Sequence, residues 1–478
     1  MRKVKVRTLY LIAIIVGGLV GLATKSTYAM FTASAEIDNP ICMSANLTSE
    51  EETIETMEVV MPAGEKKIVP VTINNTSTNT VGYSVWYTSP SDEVEIGIKL
   101  SNSDSSNSTG TISSNGSKKV YVQIINNSSS SVTITLGVIS NKTSNDMTLI
   151  PNTELVFRDT AVETITKLYT NAAKTTVVNN SITYNYATTV GLMNDRKGSM
   201  STGIDAGNIR YYGANPNNYI YFNCSDYSNQ SSSTCETWRI IGVFDGKVKI
   251  MRNESIGAYS WDNKLKDSTW GTAKLMKLLN PGYESETVGG SLYYNSGSGN
   301  CYSGQNNVTT ICNFTSNGLK DNFTKNVIAE QDWNIGPTRQ NYVNAEYENE
   351  VKNTFKAYIG LPNVSDYGYA TNLSLCNALL VNYGNSECKN NNWMFYMATG
   401  SKKMSYFINY ASNVDADISG SLLINALTEG GNVDVFDNDI SEATPPTLSD
   451  IFPTLYLSNL AAITDGTGTS SSPYQLSV

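Results

Sequence analysis

Acidic side chains beside aromatic residues are the first candidates for chemistry in this sequence. The acids are Glu254, Asp262 and Asp366, and their aromatic neighbours are Tyr259, Trp261, Tyr367 and Tyr369. Two carboxylates that flank a sugar ring can hydrolyse a glycosidic bond. The pattern therefore predicts Trp261, Tyr367, Tyr369 and Asp366 as candidate ligand-facing residues. In the alternative interpretation, the acids cap turns and the rings pack in the core.

The chain of 478 residues contains no histidine, the side chain that most often serves as a catalytic base or a metal ligand. Ser-His-Asp sites, Cys-His sites and the HExxH zinc motif are therefore excluded, and no P-loop occurs. We expect a non-catalytic protein with no catalytic residues and no cofactor-binding residues. A carboxylate-dependent glycosidase is the alternative.

Three aspartates in the C-terminal part of the chain are candidates for a calcium site. Asp434, Asp437 and Asp439 follow a pair of glycines, and carboxylate oxygens are ligands that Ca²⁺ prefers. Their spacing differs from that of an EF-hand loop, so a plain acidic loop is the alternative interpretation. We expect no cofactor or metal apart from this calcium candidate.

Six of the seven cysteines fall into three pairs that are close in sequence. The pairs are Cys224 with Cys235, Cys301 with Cys312, and Cys376 with Cys388. None of them forms a CxxC motif, and the missing histidine also argues against a zinc site. Nearest-neighbour disulfides are the simplest assignment; other connectivities and buried free thiols are the alternatives. Cys42 is left over, which predicts an intermolecular disulfide.

The N-terminus has the pattern of a secretory signal peptide. A positive stretch, Met1–Arg7, precedes the apolar run Leu9–Ala23, and small residues follow at Ala29 and Ala35. We predict a signal peptide over residues 1–29, with Ala35 as the alternative cleavage position. An uncleaved membrane anchor is a further alternative. With the cysteines, this pattern predicts a secreted protein or one at the extracellular cell surface.

The composition restricts the partners that the protein can have. The net charge is −10 and the pI is near 4.8, which argues against a nucleic-acid ligand and against an anionic membrane surface. Apolar residues make up 40% of the chain, enough to form globular cores. The expected partner is a host or bacterial surface glycan or protein, and not a nucleic acid.

Residues 36–150 alternate apolar and polar side chains in short runs, which predicts strands. Two stretches of this segment resemble each other with an offset of 52 residues: Gly64 aligns with Gly116, and Asn74 aligns with Asn126. Each stretch predicts a turn, a strand, a polar turn and a strand. We therefore predict an all-β, Ig-like sandwich over residues 36–150.

The rest of the chain is expected to form a linker and a second domain. Thr160–Ala172 predicts a helix with a capping box of Thr160 and Glu163, and polar sequence follows, so we place a helix and linker over residues 151–204. Residues 205–478 mix helix and strand signals, including the hairpin turn Asp245-Gly246 and helix candidates at Leu319–Glu330 and Glu346–Ile359. They predict a disulfide-supported α+β domain.

The segment Thr27-Tyr-Ala-Met-Phe-Thr-Ala-Ser-Ala35 resembles the processing region of camelysin-like precursors of biofilm fibres in Gram-positive bacteria. The resemblance covers about ten residues. It implies secretion and a role at the cell surface or in a matrix.

The C-terminal half resembles an uncharacterised family of secreted and surface proteins of gut Firmicutes. The motifs that carry this resemblance, in order, are residues 207–224, Cys235-x-x-Trp-Arg-Ile-Ile-Gly242, residues 253–257, residues 278–283, residues 365–371 and Pro453-Thr-Leu-Tyr-Leu457. The family has no established activity; a C-type-lectin-like fold is suggested by analogy. The chain departs from the family pattern after Trp393, which puts the binding role of residues 394–450 in doubt.

These observations favour an adhesion or ligand-binding module carried on a β-sandwich spacer. A fimbria-like or biofilm-matrix subunit, which would associate with copies of itself, is the structural alternative.

Overall fold

The structure of the chain is a computed structural model. It describes residues 43–47, 54–91, 93–99, 108–140, 148–149, 159–195, 207–262, 269–305, 308–411, 423–437, 448–458 and 461–477. The predicted signal peptide and Cys42 lie outside these residues. The chain divides into two compact units, Met1–Phe157 and Arg158–Val478. Within the described residues, no helix is long and apolar enough to cross a membrane.

The first unit is built from strands in its described residues. They are β1 (Met43–Leu47), β2 (Ile54–Met61), β3 (Lys66–Asn75), β4 (Val81–Thr88), β5 (Val94–Lys99), β6 (Thr109–Ile112), β7 (Ser117–Asn126), β8 (Val132–Ser140) and β9 (Thr148–Leu149). One sheet has the order β1-β3-β7-β5, and the other has the order β2-β8-β4-β6 with β9 beside β4. The alternate apolar residues of both sheets form one core, as the predicted sandwich requires.

The internal repeat of this unit has an offset of 51 residues, so the predicted offset of 52 is wrong. Strands β3 and β4 correspond to β7 and β8, and the fully buried Val71 and Ile73 correspond to Val122 and Ile124. A shift by one residue would exchange the two faces of a strand, which the buried valines and isoleucines do not permit. The similar tetrapeptides at Gly64 and Gly116 are therefore one residue out of structural register.

Asn75 and Asn126 are the buried last residues of β3 and β7, and each fixes the turn that follows its strand. The Nδ2 of Asn75 donates to the carbonyl oxygens of Ile112 and Ser113, both at 3.0 Å, and its Oδ1 accepts from the backbone N of Ser77 at 2.9 Å. The side chain thus joins backbone groups of two different turns.

Asn126 makes the equivalent bonds 51 residues later. Its Nδ2 donates to the carbonyl oxygens of Met61 and Pro62, both at 2.9 Å, and its Oδ1 accepts from the backbone N of Ser128 at 3.0 Å. Both asparagines are buried. The two turns that close the sandwich therefore depend on the same amide chemistry.

The second unit mixes many short strands with short helices. The first strands are β10 (Thr175–Asn179), β11 (Ile182–Ala187), β12 (Leu192–Asn194), β13 (Ile209–Tyr211), β14 (Tyr219–Phe222), β15 (Glu236–Phe244), β16 (Lys247–Arg252), β17 (Ala258–Tyr259), β18 (Ser298–Gln305), β19 (Val308–Asn313) and β20 (Ile328–Ala329). The later strands are β21 (Gln331–Asn334), β22 (Thr354–Ala357), β23 (Ile359–Gly360), β24 (Met404–Ala411), β25 (Leu423–Thr428), β26 (Val433–Asp437), β27 (Ser449–Asp450), β28 (Thr454–Leu457), β29 (Ala462–Asp465) and β30 (Gln475–Ser477).

The helices of this unit are short. They are α1 (Ala161–Asn171), α2 (Lys274–Leu279), α3 (Phe323–Asn326), α4 (Val343–Glu350), α5 (Val364–Tyr369) and α6 (Ser386–Lys389). Further 3-10 turns span Thr188–Val190, Trp270–Thr272, Leu380–Asn382 and Trp393–Thr399. The predicted capping box of the first helix is present: Thr160 Oγ1 accepts from the Glu163 backbone, and Glu163 accepts from the Thr160 backbone.

The largest sheet contains ten strands, in the order β10-β11-β12-β13-β15-β16-β28-β20, with β14 beside β15 and β23 beside β28. Its centre is the hairpin of β15 and β16, whose turn residues Asp245 and Gly246 both have positive φ, as predicted for Asp-Gly. A second sheet has the order β17-β27-β24-β25-β26. Four fully buried tryptophans lie in the core of this unit: Trp238, Trp261, Trp270 and Trp333.

Of the helix and linker predicted over residues 151–204, the helix is present as α1, but strands β10 to β12 occupy most of the described part of the predicted linker. Helix α1 and strands β10 to β12 belong to the second unit, which begins at Arg158. The polar sequence concealed a strand because Tyr184 and Tyr186 supply the buried face of β11, while Thr183 and Asn185 point the other way.

Two predicted helices are shorter than the sequence suggested. Within Leu319–Glu330, only α3 is helical, and the segment ends in β20. Within Glu346–Ile359, α4 ends at Glu350, and β22 follows and pairs with β21. Phe355 lies opposite the buried Trp333 in this pairing, so packing against an aromatic partner prevailed over local helix propensity.

The three predicted disulfides are present as nearest-neighbour pairs. They join Cys224 to Cys235, Cys301 to Cys312, and Cys376 to Cys388. Each closes a short loop within the second unit, which supports the interpretation of this unit as the disulfide-supported part of the chain.

Replacing Asn126 with alanine should destabilise the sandwich by about 2 kcal/mol, because the carbonyl groups of Met61 and Pro62 lose a hydrogen-bond donor. Hydrogen exchange of peptides from β7 and β8, followed by mass spectrometry of the full chain, measures this loss. Asn74→Ala is the matched control, since its amide bonds lie at the surface. Equal protection in the two variants would contradict the assignment.

Candidate functional site

Four buried charged side chains meet in the second unit. Arg210 Nε lies 2.5 Å from Asp195 Oδ2, and Arg210 Nη1 lies 2.8 Å from Asp366 Oδ1. Lys249 Nζ lies 2.5 Å from the other oxygen of Asp366. We refer to Asp195, Arg210, Lys249 and Asp366 as the charge cluster. Its two cations and two carboxylates balance, which is the condition under which charges are tolerated in a protein interior.

The central sheet and one helix position the charge cluster. Arg210 lies on β13 and Lys249 on β16, on either side of β15. Asp366 is the third residue of α5, where its Oδ2 accepts from the backbone N of Asn363 at 2.9 Å, the residue before the helix. A carboxylate in the first turn suits the helix dipole. The Asp366 carboxylate thus caps the start of the helix and binds both cations.

Aromatic rings surround the two cations. The Arg210 guanidinium lies 4.5 Å from the ring centre of Phe244 and 4.7 Å from that of Tyr369. Lys249 Nζ lies 5.1 Å from the ring centre of Trp333 and 5.5 Å from that of Tyr456. Cation–π attraction therefore recovers part of the hydration that the cations lose on burial.

The surroundings shift the pKa values of the cluster in different directions. Burial by itself would raise the pKa of Asp366, but Lys249 and Arg210 hold it below its usual value. Burial lowers the pKa of Lys249, against the attraction of Asp366. Asp366 has two cationic partners and Lys249 has one anionic partner. The carboxylate is therefore the better compensated of the two charges.

Glu350 extends the cluster as a buried acid. Its Oε1 accepts from the backbone N of Ser365 at 2.8 Å, and its Oε2 is hydrogen-bonded to the Ser365 hydroxyl. Burial raises the pKa of Glu350 to about 8, although the bonds from Ser365 oppose this shift. The Glu350 carboxyl group is therefore mostly uncharged at neutral pH.

The structure buries all four of the candidate ligand-facing residues, Trp261, Asp366, Tyr367 and Tyr369. Both oxygens of Asp366 bind cations, and the hydroxyl of Tyr367 donates to the carbonyl of Gly431 at 2.8 Å. These side chains do not form a surface that a ligand in solvent can reach. The aromatic residues that suggested a sugar site belong to the core. Large aromatic rings stabilise the folded chain more when they are buried than when they are exposed.

The three candidate acids are not equivalent in the structure. Asp366 and Asp262 are buried, whereas Glu254 is exposed and contributes its backbone oxygen to Arg252 at 2.9 Å. Only Asp366 belongs to the charge cluster. The predicted pair of sugar-cleaving carboxylates therefore gains no geometric support.

The calcium candidates are only partly described. Asp434 and Asp437 lie on β26, three residues apart in sequence. Asp439 lies outside the described residues. In the part of the chain that the structure describes, no group of three or more acidic or cysteine side chains could hold a metal ion.

Sequence reasoning missed Arg210, Lys249 and Glu350. Lys249 occupies an inward position of β16 between two apolar neighbours, Val248 and Ile250. These apolar neighbours are the only local sign that Lys249 is buried. A charged residue near a hairpin turn is usually exposed to solvent, so the sequence alone favours an exposed lysine here. Arg210 and Lys249 lie 156 and 117 residues from Asp366, so no spacing rule could have paired them with it.

The comparisons with known proteins do not identify a family. No family model and no curated protein matches the chain. Two solved structures are similar to part of it: the periplasmic inhibitors of g-type lysozyme, PliG, from Aeromonas hydrophila and Salmonella Typhimurium. Their identities are 8% and 9%, their TM-scores 0.14 and 0.13, and they cover 21% and 20% of this chain and 99% and 98% of their own.

Glu350 should make the stability of the second unit depend on pH. A Glu350 pKa of about 8 in the folded chain, against 4.5 for a solvated glutamate, means that the folded state holds a proton that the unfolded state has lost. Stability should therefore be greatest below about pH 4.5 for this group and fall by up to about 1.4 kcal/mol per pH unit towards pH 8.

Urea unfolding of wild type and Glu350→Gln between pH 5 and pH 8.5 measures this dependence. Glutamine cannot titrate and keeps the shape of the uncharged acid, so its stability should change less with pH over this range. Parallel pH profiles for the two proteins would contradict the buried, uncharged Glu350.

Proposed function

We propose that the protein is a non-catalytic adhesion or ligand-binding protein that is secreted or held at the extracellular cell surface. The first unit acts as an Ig-like spacer, and the second unit, of a C-type-lectin-like kind, binds a surface glycan or protein. The observation that carries this proposal is the burial of the charge cluster: the acid that sequence reasoning offered for catalysis is occupied by Arg210 and Lys249. Three disulfides in one unit favour an oxidising compartment.

The disulfide loops are the candidate ligand-facing surface. Residues 225–234, between the first pair of cysteines, are polar and mostly exposed. Ile311 precedes Cys312 and is 71% exposed, and Leu375 precedes Cys376 and is 51% exposed. A loop that is closed by a disulfide loses little entropy on binding, and an exposed apolar side chain beside it offers apolar area to a ligand.

A structural subunit is the second candidate function. Strand β1 lies at the edge of its sheet and pairs only with β3 among the described strands, and Cys42 directly precedes it in sequence. An exposed edge can pair with a neighbouring chain, and an intermolecular disulfide through Cys42 would then fix the contact. Reversible fibres whose growth depends on concentration would favour this function over adhesion.

Binding of the purified full chain to arrays of bacterial and host surface glycans and proteins tests the proposal. We expect capture of at least one ligand class without release of products. Changing Ile311 and Leu375 together to serine should weaken that capture at least tenfold.

Val351→Ser is the control, because Val351 is 43% exposed in the same unit but does not neighbour a cysteine in sequence. The proposal fails if no array component is retained, if sugars are released, or if the control weakens capture as much as the double variant.

A further inference from the structure

Lys249 has a second partner besides Asp366. Its Nζ lies 2.7 Å from Oδ1 of Asn363, the residue that precedes α5. All three side chains are buried, and Lys249 is the one lysine among the buried polar residues of the described part of the chain. An amine, a carboxamide and a carboxylate thus meet in an interior from which solvent is excluded.

We propose that Lys249 and Asn363 condense into an intramolecular isopeptide bond, with Asp366 as the group that receives a proton. The proposed bond is a covalent modification of the folded chain, and it is independent of the ligand that the second unit binds. It would join β16 at the centre of the largest sheet to the start of α5.

The reaction needs no other reactant. The Lys249 ammonium transfers one proton to Oδ2 of Asp366, and the free electron pair of Nζ attacks Cγ of Asn363. The bond between Cγ and Nδ2 then breaks, and a second proton moves from Nζ to the departing nitrogen. The products are an amide between Nζ and Cγ, one molecule of ammonia and a protonated Asp366.

The position of Asn363 suits this attack. Its Nδ2 donates to the carbonyl oxygen of Asn334 at 2.6 Å and to Oδ1 of Asn409 at 3.0 Å. These two bonds fix the carboxamide with its oxygen towards Lys249 Nζ. A reacting pair that is held in contact gains a large effective concentration over the same groups in solution.

Burial favours the products over the charged reactants. Desolvation lowers the pKa of Lys249, which increases the fraction of amine that can attack. Condensation removes the positive charge of Lys249 and the negative charge of Asp366 together. Arg210 then keeps Asp195 as its counter-ion at 2.5 Å, so the interior stays balanced.

Peptide mapping of the purified full chain tests the proposal. After reduction, alkylation and trypsin digestion, we expect a branched product that joins Val248–Arg252 to Ala357–Lys389, with trypsin unable to cut after Lys249. Its mass should equal the sum of the two peptides less one ammonia, and tandem fragmentation should place the branch at Lys249 and Asn363.

Lys403 provides the internal control, because it is exposed and paired only with Glu429 in the structure, so it should be cleaved normally. Lys249→Met should give the linear peptide Ala357–Lys389. The wild-type map decides the question even if that variant does not fold: quantitative recovery of linear peptides with free Lys249 and intact Asn363 would overturn the proposal.

Discussion

The pairing of Lys249 and Arg210 with Asp366 and Asp195 is the interaction on which the second unit depends. Each of these charges would cost several kcal/mol if it were buried alone, so none can be buried before its partner is in place. Arg210 and Lys249 come from two strands of the largest sheet, and Asp366 comes from the first turn of α5. The sheet and the helix must therefore reach their final arrangement together.

Amide side chains also provide partners for buried polar groups in the second unit, where the strands and helices are short. Asn280 shows this most clearly: its Nδ2 donates to the carbonyl oxygens of Met276 and Ile359, and its Oδ1 accepts from the backbone N of Tyr358 and Ile359. Short strands leave many backbone groups unpaired, and buried polar groups must find partners. Asn75 and Asn126 likewise donate to backbone carbonyl oxygens in the sandwich. The abundance of asparagine thus has a structural use.

Local patterns in the sequence predicted local features of the fold. The sandwich strands, the three disulfides, the capping box of Thr160 and Glu163 and the turn at Asp245 all depend on residues that are close in sequence. The repeat offset could also have been predicted correctly, because the buried valines of β3 and β7 match only at 51 residues. Similar polar turns gave the wrong register, since turns tolerate a shift that a strand's alternating faces do not.

The candidate site could not be predicted to the same extent. Asp366 was identified as chemically interesting, but as a ligand-facing acid beside aromatic residues. Its partners Arg210 and Lys249 are more than a hundred residues away in sequence, and only the fold of the sheet brings them to it. Periodicity reports which face of a strand is apolar, and it gives no information on a charge that replaces an apolar side chain on that face.

The charge cluster holds the second unit together, and the unfolding free energy of the Asp366→Asn variant measures this dependence. Removing this carboxylate leaves Lys249 buried without an anionic partner, and unfolding followed through exchange of second-unit peptides should show a loss of about 3–5 kcal/mol. Glu429→Gln is the control, because its pair with Lys403 is exposed and its loss should have a far smaller effect. If Asp366→Asn loses no more stability than the control, the second unit does not depend on the charge cluster.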